Sequence, residues 1–285
     1  MGIFGRGNKL SQNDTRALVA NAILTIQHEG HKAAMSFSLS KNKADQAKQI
    51  LAKDWGITDW GTSMAMLERL SKAKADSHVI AEIFNELITK SQYEVVRGIF
   101  SPLKEDILLD LNLPENFLQL WDSLTNNANN DMDAFLYYLS GAEDANKTFH
   151  GITSSLLLSR INGGIKGYEQ AIRTLGVYGF SMEELSKLDD FCAWDLGRVG
   201  YVAKMAAVAG HIDDAAARGY MVSAGKQAYA SYTDWRQFLA AYFIGHGIMA
   251  GDAKKIGDYG DTIHHLLRNK KSPYQKFPLK TLDKS

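Results

Sequence analysis

Two short stretches carry a basic residue on an otherwise apolar helical stripe, which makes them the first places to look for chemistry. Trp194-Asp195-Leu196-Gly197-Arg198 and Tyr242-Phe243-Ile244-Gly245-His246 share one pattern: aromatic, two further residues, glycine, basic residue. At helical periodicity Trp194, Arg198, Tyr201, Met205 and Val208 fall along one stripe. Trp235, Phe238, Tyr242, His246 and Met249 fall along another. A cation brought into an apolar seam has to meet an anion or hydrogen-bond acceptors, because burying it unmatched is very costly. Asp195, Asp213, Asp214 and Asp234 are the carboxylates close by in sequence.

Two readings follow. One is an anion-binding or acid–base pocket built from Arg198, His246 and a carboxylate such as Asp195, with Trp194, Tyr242 and Trp235 as its walls. The other is a polar latch that fixes the register of two helices, the aromatics being ordinary core. In both, Gly197 and Gly245 sit inside helices, where glycine costs about 1 kcal/mol against alanine. A helix accepts that cost where another backbone must come close.

The remaining chemistry-bearing residues form no recognisable set. His28-Glu29-Gly30-His31 spaces its histidines at i,i+3, whereas the zinc-hydrolase HExxH needs i,i+4. His211 lies near Asp213 and Asp214, and His264 adjoins His265, yet none of these completes a metal-ligand set. No metal and no cofactor are expected. Cys192 is the only cysteine, so an intrachain disulfide is excluded. Its neighbours Phe191, Ala193 and Trp194 point to a buried, inert thiol. Phosphate-loop, dinucleotide-binding and nucleophile-elbow motifs are absent from the sequence. Nucleic-acid motifs are also missing, and Arg268-Asn269-Lys270-Lys271 reads as a solvated charge run, so nucleic acid is not an expected partner.

The elements that must hold these residues are helical. Between Pro114 and Pro273 there is no proline to break a helix. Ser11 or Asn13 can cap a helix running to about Ser38, followed by a helical stretch over Lys41–Lys53. Thr58 or Thr62 opens a segment with Met66, Leu67 and Leu70 on one side. A 3.6-residue period runs through Val79, Ile80, Ile83, Phe84 and Leu87, and Pro114 suits the first turn of another helix. Ser181 and Glu184 have capping-box spacing. Helices are expected over about 190–209, stopped by Gly210, over about 214–230 capped by Asp213, and over about 235–249 capped by Thr233 or Asp234. Alternating strand patterns bounded by turn residues are lacking. The fold class is therefore all-α: a multi-helix globular bundle of roughly ten helices with few or no strands.

The segments 193–213 (AWDLGRVGYVAKMAAVAGHID) and 232–251 (YTDWRQFLAAYFIGHGIMAG) resemble the C-terminal part of the bacterial domain-of-unknown-function-1266 family. Upstream, Asp54-Trp55-Gly56-Ile57 with Leu67, Leu70 and His78 resembles that family's Trp-Gly-Ile start and Gly-His-Arg segment. The resemblance spans about 50–260. It departs at His246, where the family pattern has Arg, at Gly210-His211-Ile212 in place of Gly-Tyr-Ile, and at His78, which lacks the flanking Gly and Arg. It implies a helical bacterial protein and brings no activity with it.

Lys+Arg and Asp+Glu balance at 32 each, so net charge selects no class of partner. The charge is uneven, however: residues 1–50 carry seven basic and three acidic side chains, and 264–285 carry six and one. No 18-residue apolar run and no secretory leader are present, so no membrane span is expected and the default location is the cytoplasm. The expected organisation is a flexible N-terminus over 1–10, one α-helical domain over 11–263 with a candidate sub-division at the Asn-rich 122–133, and a basic tail over 264–285 on the surface. With no catalytic set in the sequence, the expected function is a non-enzymatic protein-binding, adaptor or immunity-type module. The alternative is a hydrolase or transferase acting on an anionic substrate around Arg198 and His246.

Overall fold

The computed structural model describes residues 10–71, 167–188, 190–250 and 253–279. The expected helices around Val79–Leu87 and Pro114, and the weak points at 122–133 and 161–166, lie outside them. Among the described residues every regular element is helical and no strand occurs, as the all-α reading requires. The helices are α1 (Gln12–Ala20), α2 (Ala22–Ala34), α3 (Ala44–Trp55), α4 (60–71), α5 (167–177), α6 (Met182–Leu185), α7 (Ala193–Ala209), α8 (Asp214–Ser231), α9 (Trp235–Ala250), α10 (Ala253–Arg268) and α11 (Pro273–Lys276), with a 3₁₀ turn at Lys41–Lys43. No described helix is long and apolar enough to cross a membrane.

Capping residues punctuate the chain largely where the sequence puts them. Ser11 Oγ accepts from the Asp14 amide, Asp213 from Ala216, and Asp234 from Gln237. Each meets one of the orphan amide donors of a first turn. Ser181 and Glu184 form a complete capping box, with bonds of 3.1 and 2.7 Å. Three expectations are corrected. The helix expected to run unbroken to Ser38 turns at Asn21, kinks at Gly30 and ends at Ala34. The cap of α4 is Asp59, whose carboxylate takes the Thr62 amide at 2.8 Å. The C-terminal segment does not lie loosely on the surface: Pro273, Tyr274 and Leu279 are buried, and Trp235 Nε1 donates to the Phe277 carbonyl at 2.6 Å. Apolar anchors outweigh the lysines of that tail.

The chain divides into two compact units. The first contains 10–71, 195–238 and 265–279 of the described residues. Its α1 lies against α8 so closely that a Cβ added at Gly225 would stand 2.6 Å from the Ala17 Cα. Asn21, at the α1–α2 junction, is fully buried and donates to the carbonyls of Ala17 and Met221 at 2.7 and 3.1 Å. At the surface Arg218 pairs with Asp14 at 2.7 Å, and Arg16 covers the Tyr229 ring.

The second unit contains 167–194 and 239–264. Gly247 lies against Gly167, so a side chain on either would overlap backbone. Tyr168 packs on Phe191, and its buried hydroxyl is pushed well above the usual tyrosine range. Tyr178 stacks on His264 and donates to Asp261.

One helix stands apart in its burial. Every residue of α7 is buried except Arg198 and Ala207, which are half-buried. Gly210, at φ 80°, then stops the helix in the left-handed region that glycine enters without penalty.

The glycines of α8 separate packing from propensity. Gly225→Ala should destabilise the protein by about 1–3 kcal/mol through overpacking against the α1 backbone. Gly219 is exposed with open space around it, and Gly219→Ala should stabilise by about 0.5–1 kcal/mol. Urea denaturation of the two variants measures both signs.

Candidate functional site

The six residues singled out by the helical stripes fall into three groups. In the second unit, Trp194, Tyr242 and His246 come together. Trp194 meets Tyr242 and His246 edge-on, each at 5.0 Å between centroids. The Cβ of Trp194 rests over Gly245, where an added Cβ would approach it to 2.6 Å. The glycine notch of α9 is therefore there to admit α7, and larger residues would part the two helices. Tyr242 is fully buried, and Trp194 and His246 retain 8% and 6% exposure. The fourth wall is Tyr259 on α10, stacked on the His246 ring at 3.8 Å and 18°. Sequence spacing does not reveal Tyr259, because its partner lies on another helix.

In the first unit, Arg198 pairs with Asp195 one turn earlier on α7. Their side chains are 14% and 8% exposed, so the pair is largely shielded from water. The guanidinium carbon lies 5.7 Å from the centre of the Trp55 ring, within cation–π range. Two of the stretches that carry the family resemblance, 54–57 and 193–198, thus meet here although some 140 residues separate them.

Trp235 belongs to neither group. It packs edge-on to Phe238 at 5.5 Å and Tyr274 at 5.6 Å and holds the C-terminal segment through its indole N–H. It anchors the C-terminal segment that the sequence reading left on the surface. Arg198 and His246 fall in different units.

A second cation on α7 went unnoticed in the sequence. Lys204 is fully buried, and its Nζ donates to the carbonyls of Ala33 and Ala34 at 3.1 and 3.3 Å. It thereby satisfies the last carbonyls of α2, where the helix dipole is negative. Burial lowers its pKa from 10.5 to about 7. The signal was present: a single lysine within VGYVAKMAAVA is the only charge in eleven residues. One turn away Tyr201 stacks on His28 at 4.9 Å, and burial, with the charges of Glu29 and Asp54, pushes its hydroxyl up to about 12.

Chemically, the positive charge of Arg198 is matched by a carboxylate on its own helix. An incoming anion would have to displace Asp195 from a shielded site. Lys204 is spent on backbone carbonyls. Among the described residues no three His, Cys, Asp or Glu side chains converge closely enough to hold a metal ion.

Removing Arg198 leaves the Asp195 carboxylate in a shielded site without its cation. Arg198→Ala should therefore destabilise by about 3–5 kcal/mol. The double variant Asp195→Leu/Arg198→Met should lose less than either single change, because no charge is stranded. Guanidinium unfolding of the set checks both, and equal losses would place the Arg198 contribution outside the pair.

No curated protein and no solved structure matches the chain. A family model described as "Protein of unknown function (DUF1266)" matches residues 50–279, the span that contains Trp55, Arg198, Lys204 and His246. On that match over most of its length, the chain belongs to the DUF1266 family.

Proposed function

We propose that this protein is a non-enzymatic binding module of adaptor or immunity type, a helical scaffold that presents a surface to a protein partner. The observation that supports this reading is the commitment of Arg198 to Asp195 inside its own helix. The charge best placed to receive an anionic substrate is used to hold α7 together and against Trp55. A catalytic arginine needs its charge directed at the substrate, since catalysis depends on interactions that strengthen in the transition state.

The surface offers an anchor suited to such a role. Trp60, the first residue of α4, is 64% exposed, an unusual placement for so large an apolar side chain. Tryptophan is enriched among the few residues that dominate binding energy at protein interfaces. The neighbouring Asp59 is held ionised by bonds from Thr62, so the anchor has an acidic flank.

The test is affinity capture from the source cell followed by reconstitution with the purified partner. Trp60→Ser should leave the melting temperature unchanged and weaken partner binding at least tenfold, about 1.4 kcal/mol. The enzymatic reading makes the opposite forecast. If the purified protein turns over an anionic substrate, and Arg198→Lys abolishes turnover at an unchanged melting temperature, the binding-module reading is wrong.

A further inference from the structure

The connection between α2 and α3 is tied down by three cations. Lys43 pairs with Glu29 at 2.8 Å, and the Arg218 guanidinium lies 5.1 Å above the Phe37 ring. Both of those ties lie at the surface, where such contacts contribute little. The third is Lys204, with no exposed area, bonded to Ala33 O and Ala34 O. Two carbonyls match the two N–H groups of a neutral amine; an ammonium brings a third N–H and a charge that burial opposes.

Immediately before this tie, α2 is broken. Gly30 has φ 83° and ψ 173°, and a Cβ placed there would meet nothing within 4 Å. Only glycine adopts that conformation easily, so the break is built into the sequence and leaves a swivel with room around it. Beyond it, the amides of Met35 and Ser36 donate to His31 O and Ala33 O at 3.3 and 3.2 Å, the same turn that Lys204 grips.

We propose that residues 31–43 form a strap hinged at Gly30, whose closing onto Lys204 is coupled to loss of a proton from that amine, so that acid favours release. Release bares Met35 and Phe37, two half-buried apolar side chains, and so links surface exposure to pH.

Burial lowers Lys204 from 10.5 to about 7, whereas an amine freed into water returns to the ordinary value. Between those limits the open form holds a proton that the closed form lacks. Raising the pH through the window therefore tightens the strap, and below about 7 both forms are protonated and the dependence flattens. The other charged and titratable groups on the surrounding helices have contacts of their own or face outward. On α2, His28 stacks on Tyr201, Glu29 pairs with Lys43, and His31 and Lys32 are exposed. On α7, Arg198 pairs with Asp195, and Tyr201, pushed up to about 12, keeps its proton across the window. On α3, Asp54 is exposed, and on α8, Arg218 pairs with Asp14.

Hydrogen exchange of the Met35 and Ser36 amides, corrected for intrinsic chemistry, tests the strap on the full chain. The opening constant should fall about tenfold per pH unit over the two units above 7 and level off below it, as one linked proton requires. Lys204→Met should abolish that slope, while any pH effect of the other groups survives. A flat profile in the parent protein, or the same slope in Lys204→Met, overturns the proposal. So does exchange of these amides no faster than the buried Ala224 amide of α8, which would mean that the whole unit opens at once. Should Lys204→Met fail to fold, the ¹⁵N titration of the Lys204 amine in the parent protein decides: a midpoint near 7 that matches the pH at which the exchange profile levels off supports the strap, and one near 10.5 or away from that break overturns it.

Discussion

A helix buried on nearly every side is the constraint from which much else follows. Along α7 only Arg198 and Ala207 keep partial contact with water. An ordinary surface helix segregates its polar residues onto one face, but α7 has no such face to use. Each polar group on it must find a partner within reach, because an unmatched charge in that setting costs several kcal/mol. Asp195 and Arg198 solve the problem within one turn of the helix itself. Lys204 solves it by reaching the carbonyl end of α2, which needed donors in any case. The shortages of two helices cancel at one point.

The same burial governs the glycines. A helix enclosed on all sides must be approached closely by its neighbours, and close approach requires that one partner give up a side chain. Gly245 does so for Trp194, and Gly200 on α7 does so for Asn21. Asn21 can then reach across to the Met221 carbonyl and join the α1–α2 corner to α8. Packing of this kind is specified by volume, and it holds the helix register more strictly than general hydrophobicity can.

This division explains which features were legible in the sequence. Among the described residues, helix existence, most caps and the burial of Trp194, Tyr201, Trp235, Phe238 and Tyr242 follow from local patterns. Spacing set Tyr242 and His246 on one stripe and Trp194 on another, but not which rings would meet. What sequence could not supply was the identity of partners brought by other helices: Tyr259 for His246, Trp55 for Arg198, the end of α2 for Lys204. The break at Gly30 was also missed. A lone glycine in a helical pattern is often tolerated, and only the backbone angles of Gly30 show that it ends one helical run and begins another.

Placing polar groups inside a structure commits them, and that bears on where function resides. Arg198 and Lys204 cannot serve an external ligand without abandoning the contacts that hold α7 to α3 and α2, so each would have to be released at a cost to the fold. Proteins more often keep recognition on surfaces that a rigid interior supports, where side chains can be lost to a partner without disturbing the core. The proposed anchor Trp60 has that setting: its helix is fixed by the Asp59 cap and by Leu67 and Leu70 in the core, while the indole stands in solvent. Lys204 is the informative exception. Its grip depends on a single proton, so the interior contact that secures α2 is also the one that solvent conditions can loosen.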